Sequence, residues 1–287
     1  MPITLPPSKR CAVCITFDFD AVSLWFGMFK SFDSQAVGRG EFGPRVGAGR
    51  ILELLDKYAV PSSWFVPGHT AESWPGITRA IAEAGHEVAH HGWCHEPPPE
   101  LGDQEEAVLI RGIEALESVV GKRPTGYRAP SWTITDNTVE LLLKHGFTYA
   151  SNGMAEDFRP YRARVGDQAS ATRPFIFGEE SDLIEIPSAW HLTDCSQLEV
   201  GPPWNLAPSP ANAEQIWKDE FDYMHNNIGG GVITYVFHPE CIGRGHRIVM
   251  FERLIRHITD AGNVWFARTE DVARAWQPDP PGRWAER

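Results

Sequence analysis

No apolar run in this sequence is long enough to cross a membrane; the first, Ala12 to Phe17, is far too short for a bilayer core. A signal-peptide core is missing too, because prolines stand in Met1-Pro2-Ile3-Thr4-Leu5-Pro6-Pro7 where an apolar region would lie. Cysteines are few: five in 287 residues, scattered and odd in number, which fits reduced thiols and not a disulfide framework. Basic excess is also absent. With 38 Asp and Glu against 26 Lys and Arg, the net charge of −12 argues against nucleic acid or an anionic membrane surface as the main partner. These absences describe a cytoplasmic protein that uses neither membrane nor nucleic acid. No internal repeat or low-complexity tract divides the chain, so residues 1–287 are expected to form one domain.

What the sequence does have is alternation. Residues 11–17 read as a first strand, apolar throughout and so buried on both faces, and 45–58 as a helix. Strand 62–67, helix 76–84 closed by Gly85, strand 86–90, helix 103–120 with Gly121 beyond it, and a short strand 126–129 follow. A helix over 137–145, capped by Thr135 or Asp136, precedes strands near 147–151 and 183–189. The chain continues with helix 211–226, strand 231–237, helix 247–261, strand 263–267 and helix 270–276, and residues 277–287 read as a surface arm. Such regular β-then-α order implies an α/β fold with a parallel sheet, and roughly seven or eight units suit a closed barrel. Two stretches interrupt it. Residues 22–44 carry Trp25, Phe26, Phe29, Phe32 and Phe42 among glycines, and residues 152–182 are polar without clear period; both read as lids or contact surfaces.

In a barrel of parallel strands, reactive side chains come from the C-terminal strand ends. Asp18 and Asp20 follow the first strand, His91 and His95 the third, and Arg128 the fourth; Asp194 lies beyond the strand holding Ile186, and His238 follows Val232 to Phe237. His91 and His95 are four apart, so one helical turn would present both imidazoles to a single metal ion. Asp18 and Asp20 are two apart, so in extended chain they point to one side: one can bind the ion while the other takes the proton of a water the ion activates. Two histidines and one carboxylate suit zinc, and the same donor types admit iron, cobalt, nickel or manganese. His86 and His90 read as structural, since His90 points away from His91 if the strand continues, and Trp93 and Cys94 read as packing. Cys11-Ala12-Val13-Cys14 spells C-x-x-C, but residues three apart on a strand face opposite ways and no second pair follows, so both read as small buried hydrophobes.

Together these motifs resemble the polysaccharide deacetylase family, also called the NodB-homology or carbohydrate esterase 4 group. The family's T-F-D-D-G resembles Thr16-Phe17-Asp18-Phe19-Asp20, its pair of histidines four apart resembles His91-Gly92-Trp93-Cys94-His95, and its R-x-P resembles Arg128-Ala129-Pro130. Its late L-x-H is matched loosely by Val236-Phe237-His238. The resemblance implies a distorted (β/α) barrel of about seven parallel strands that hydrolyses an N-acyl bond at a divalent metal ion. It implies Asp18 as general base, Asp20, His91 and His95 as metal ligands, Arg128 as the group that steers Asp18, His238 as general acid and Asp194 as its partner. Phe19 separates aspartates that most of the family has adjacent. With Phe237-His238-Pro239-Glu240, that makes the chain more similar to a cytoplasmic branch of peptidoglycan deacetylase-like proteins, cyclic imide hydrolases and cofactor-free allantoinases. Some of that branch lack metal ligands, whereas this chain keeps all three, and the branch implies a homotetramer. The substrate is expected to be an N-acetylated oligosaccharide or a small cyclic amide or imide. Intact ligand, base and acid candidates argue against a non-catalytic carbohydrate-binding protein.

Overall fold

Nine strands build one curled, mostly parallel sheet, and the computed structural model describes residues 3–199 and 209–277 of the chain. They are β1 (Cys11–Asp18), β2 (Ser62–Val66), β3 (Glu87–His90), β4 (Gly126–Tyr127), β5 (Tyr149–Ala150), β6 (Tyr161–Val165), β7 (Glu179–Glu185), β8 (Val232–Phe237) and β9 (Val264–Phe266). The spatial order is β6-β7-β5-β4-β3-β2-β1-β8, with β9 paired to β1. The result is the distorted barrel that the resemblance implied, a half-barrel in which Thr193, beyond β7, bridges Val236 of β8. All but the first residue of the C-terminal arm expected at 277–287 lies outside the described residues.

β1 is the axis of the sheet. It runs beside β8 over Ala12–Phe17, and on its other side meets β9 at Cys11–Val13 and β2 at Ile15–Asp18. Its period of two sorts the side chains into two cores. Cys11, Val13, Ile15 and Phe17 pack outward under helices with Ile51, Leu55 and Phe251, while Ala12 and Cys14 point inward with Phe65, Tyr149 and Ile186. The two cysteines of the C-x-x-C therefore face opposite layers, both fully buried. The inward face turns polar toward its end, through Thr16 and Asp18, and that change of character places the site.

Two stretches differ from expectation. Residues 22–44 are largely helical, not irregular: a π-type turn at Leu24–Met28 is followed by a helix at Ser34–Phe42, whose start is capped by the Asp33 side chain accepting the Gln35 and Ala36 amides. A second π-type turn at Gly43–Gly47 carries it into the helix Ala48–Tyr58. The wide turn admits Pro44, which lacks an amide hydrogen, and brings Gly47 so close to Pro239 that a β-carbon there would lie 2.1 Å from its carbonyl oxygen. Much of residues 152–182 is a sheet edge: β6 pairs antiparallel with β7, and its mixed burial explains the weak hydrophobic period.

Candidate metal centre and active site

Asp18 closes β1, and the amide of Phe19 donates to the Phe65 carbonyl at 2.8 Å, so extended pairing continues one residue further. The Phe19 ring turns into the outer core, edge-on to Trp64 at 5.7 Å. The extra residue between the aspartates thus has a packing role, and it leaves Asp18 and Asp20 on the inward side. The Asp20 carbonyl accepts the Thr70 hydroxyl at 2.7 Å, which fixes the turn that follows.

The histidine segment is not the helical turn that its spacing suggested. Gly92 and His95 both have positive φ, +73° and +58°, and the backbone is held from outside. The Gly92 carbonyl accepts the Gly68 amide at 3.1 Å, and the Trp93 carbonyl accepts the His69 amide at 2.8 Å. The Glu96 carboxylate accepts the Cys94 amide at 2.6 Å. Trp93 is packing, as expected, with the Arg111 guanidinium 3.6 Å from its ring centre.

This irregular loop still brings the two imidazoles together. The ligating atoms of Asp20, His91 and His95 all lie within 4.8 Å of one another, and all three residues are buried. His91 Nε2 is 3.4 Å from Asp20 Oδ1, and His95 Nε2 is 3.5 Å from Oδ2. Neither Asp20 oxygen has a hydrogen-bond partner. His91 donates its Nδ1 hydrogen to the Arg128 carbonyl at 2.7 Å, which leaves the Nε2 lone pair facing Asp20. His95 Nδ1 has no partner. Burial pushes both histidines down, His95 to about 4, so both imidazoles are neutral at neutral pH. A buried carboxylate without donors, facing neutral imidazole nitrogens, is a costly arrangement unless a cation sits among them. The residues present therefore fit a divalent metal ion.

Two further pairs flank this cluster. Arg128, fully buried, donates through Nη1 to Asp18 Oδ1 at 2.5 Å and to the Thr16 hydroxyl at 3.0 Å. Its other nitrogens reach the Ser151 carbonyl and hydroxyl, and its guanidinium carbon lies 3.9 Å from the Phe65 ring centre. Burial, the largest single influence, would raise the Asp18 carboxyl; the charge and hydrogen bond of Arg128, joined by His91 and His238, outweigh it and hold Asp18 below the ordinary value. On the opposite side, Asp194 opens the short helix Asp194–Leu198 and accepts twice from His238: from Nδ1 at 2.7 Å and from the backbone amide at 2.9 Å. Burial, the largest single influence, would lower His238, but the charge and hydrogen bond of Asp194, joined by Cys195 and Asp20, outweigh it and raise His238 well above its ordinary value. His238 Nε2 is left free, 3.7 Å from Asp20 Oδ2.

All seven residues singled out in the sequence meet at the C-terminal ends of the strands, and one of them, His238, lines a cavity of about 460 Å³. Leu24, Trp25 and Phe29 line it, with Arg39, Glu240 and Arg244 among its polar members. Neither carboxylate oxygen of Glu240 has a hydrogen-bond partner.

A family model described as polysaccharide deacetylase matches residues 39–150. The peptidoglycan deacetylase of Helicobacter pylori is 37% identical over 281 residues, covering 93% of this chain and 96% of that protein. The chain belongs to the polysaccharide deacetylase family. It is accordingly a hydrolase acting on carbon–nitrogen bonds. A peptidoglycan deacetylase-like protein of Gibberella zeae is 31% identical, covering 97% of this chain and 90% of its own. Among solved structures, a Mycobacterium smegmatis protein assigned to the polysaccharide deacetylases superposes with a TM-score of 0.84 at 36% identity, covering 98% of each chain. The PuuE allantoinase shares the fold, with a TM-score of 0.78 at 22% identity, covering 96% of this chain and 93% of its own.

Sequence reasoning passed over two groups near the site. Glu240 looked like no more than part of a branch-specific motif. His90 faces away from His91, as strand alternation implied, and bonds instead to the Gly92 amide and the Leu109 carbonyl.

Proposed function

We infer that the protein hydrolyses an N-acetyl or related amide bond, with Asp20, His91 and His95 holding a divalent metal ion, zinc by donor type. Such an ion, when bound, polarises the acyl carbonyl and lowers the pKa of a water molecule. Asp18 accepts that water's proton, and Arg128 keeps the carboxylate ionised and aimed. His238 donates the proton that the departing nitrogen needs, from Nε2, while Asp194 holds the opposite edge of its ring. The observation that supports this reading is the opposed tuning of two groups about one donor cluster: an acid kept low by arginine and a histidine kept high by aspartate. Such divergent pairs mark base and acid assignments.

The cavity adjoins His238, so it would receive the part of the substrate carried by the leaving nitrogen. Its volume, about 460 Å³, lies in the lower half of the range for small-molecule pockets. That size supports an N-acetylated sugar unit and equally admits a second reading, a small cyclic amide or imide. All five cysteines are unpaired, which supports a reducing, cytoplasmic setting.

One panel tests these readings: metal analysis of the purified protein, then hydrolysis of chito-oligosaccharides, succinimide, dihydrouracil and allantoin. Release of acetate from the sugars with loss on chelation is expected. Turnover of the ring compounds alone would replace the deacetylase reading with the second one. Full activity in metal-stripped protein would overturn the mechanism.

A further inference from the structure

We propose that His90 is a positioning residue for the metal centre, clamping the loop between His91 and His95 to the helix Glu105–Val120. The inference rests on the metal reading above and concerns how the ligand loop keeps its shape.

His90 is the last residue of β3, and alternation along the strand sends its ring outward while His91 turns inward. Its two ring nitrogens do different things. Nδ1 accepts the Gly92 amide at 3.1 Å, and Nε2 reaches the Leu109 carbonyl at 3.1 Å. A carbonyl only accepts, so Nε2 carries the hydrogen and Nδ1 is the bare acceptor; only this neutral tautomer makes both bonds. The ring is fully buried, stacked on Tyr127 at 5.5 Å and edge-on to Phe147 at 5.7 Å.

The bond to Gly92 fixes the residue on which the loop turns. Gly92 has φ +73°, and from there the chain bends back so that His95 faces His91 and Asp20. Gly112 of the helix completes the clamp: a β-carbon there would lie 2.2 Å from His90 Nε2 and 2.8 Å from the Gly92 carbonyl oxygen. Helix, imidazole and ligand loop thus form one contiguous stack. Without His90 the Gly92 amide loses its acceptor, and the separation of the two ligand imidazoles is no longer held from that side.

Titration of metal-free protein with cobalt(II), read as visible absorption and as affinity, tests this without any substrate. His90→Phe fills the aromatic slot but makes neither bond; His90→Asn restores an acceptor near the Nδ1 position; His90→Gln reaches only toward Leu109. The expected result is about tenfold weaker cobalt binding with an altered band shape for Phe and Gln, and partial recovery for Asn. Gly112→Ala approaches from the other side: alanine favours the helix but drives a methyl into His90, and it should weaken binding as well. Melting of the metal-free variants separates this from general damage: Phe leaves the buried Gly92 amide and Leu109 carbonyl unpaired and should melt lower, whereas Asn, which also lacks the Leu109 bond, should regain cobalt affinity out of proportion to any regain of stability. Wild-type affinity and spectrum in both His90→Phe and Gly112→Ala would overturn the proposal, as would losses that follow stability alone, with no recovery for Asn. Wild-type protein that takes up no cobalt would sink the metal reading itself, and with it any positioning role.

Discussion

Two buried carboxyl groups sit at opposite ends of the same sheet and are treated in opposite ways. Glu87 opens β3 at the N-terminal end, where its carboxyl accepts the Ser63 hydroxyl at 2.5 Å, the Tyr149 hydroxyl at 2.7 Å and the Glu270 amide at 3.1 Å. Asp20 lies at the C-terminal end, equally buried, and receives no hydrogen bond at all. Burying a carboxyl costs several kcal/mol unless donors or a cation offset it. Glu87 has donors within the protein that oppose, without cancelling, the upward push of burial on its carboxyl, and through them it ties strands β2, β3 and β5 to the final helix. Asp20 is left for something from outside. The difference separates the end that holds the barrel together from the end that acts, as in parallel barrels generally.

The sharpest way to break this comparison is to remove each group. Asp20→Ala should abolish metal uptake and take turnover to background, while the metal-free protein melts close to the wild-type temperature, because the Asp20 carboxyl accepts no hydrogen bond among the described residues and burial raises it above the ordinary value. Glu87→Ala should retain the metal but lose about 3 kcal/mol of stability, since two hydroxyls and one amide are left without an acceptor. Metal analysis and denaturant titration of both variants would show it; a destabilised Asp20 variant with intact metal binding would invert the assignment. His238→Ala falls between the two: metal content unchanged, and turnover lower by about 10²- to 10⁴-fold, the span of a lost general acid. Loss of metal together with turnover in that variant would make His238 a ligand and not an acid.

A third buried carboxyl sharpens the contrast through pH. Glu185 closes β7 and accepts the Asn152 and Gly153 amides, yet burial, the larger effect, pushes it up to about 7. Its folded value is raised above the ordinary 4.5, so between those two values the native state binds the extra proton. Stability therefore falls as pH rises from about 4.5 to 7, by on the order of 3 kcal/mol if this group acted alone. Glu185→Gln keeps an acceptor for both amides and should remove that slope. Urea midpoints at pH 5 and pH 7.5 for both proteins decide it; an identical slope in the variant would assign the pH dependence to other groups.

How much of this was legible in the sequence follows from what each residue type betrays. β1 announced itself because a strand buried on both faces is apolar throughout, and its polar end marked where chemistry begins. His91 and His95 were found by spacing, but the helix inferred from that spacing was not: Gly92 in a left-handed conformation and amides donated from Gly68 and His69 shape the loop, and those partners are distant in sequence. Residues 22–44 hid their helix because aromatic residues, glycines and two wide turns blur a 3.6-residue period. His90 was legible only as to direction. Its role depends on Leu109 and Gly112, nineteen and twenty-two positions away, which strand alternation cannot bring into view.

Glu240 carries the smallest predicted effect and tests the principle most narrowly. Like Asp20 it is a carboxyl with no hydrogen-bond partner at the C-terminal end, and burial, its largest influence, holds it well above the usual range. A protonated carboxyl that receives nothing loses nothing on becoming an amide of the same shape. Glu240→Gln should therefore change stability by less than about 0.5 kcal/mol, as a typical neutral substitution does. Glu87→Gln should cost more, because the Tyr149 hydroxyl must turn to accept from the new amide nitrogen, whose second buried hydrogen needs a further acceptor. Any activity change in Glu240→Gln would then report on the cavity it lines and not on folding. Melting the two glutamine variants side by side gives the answer: equal losses would show that both carboxyls belong to the scaffold and that the two ends of the sheet are not distinguished by their unpaired groups.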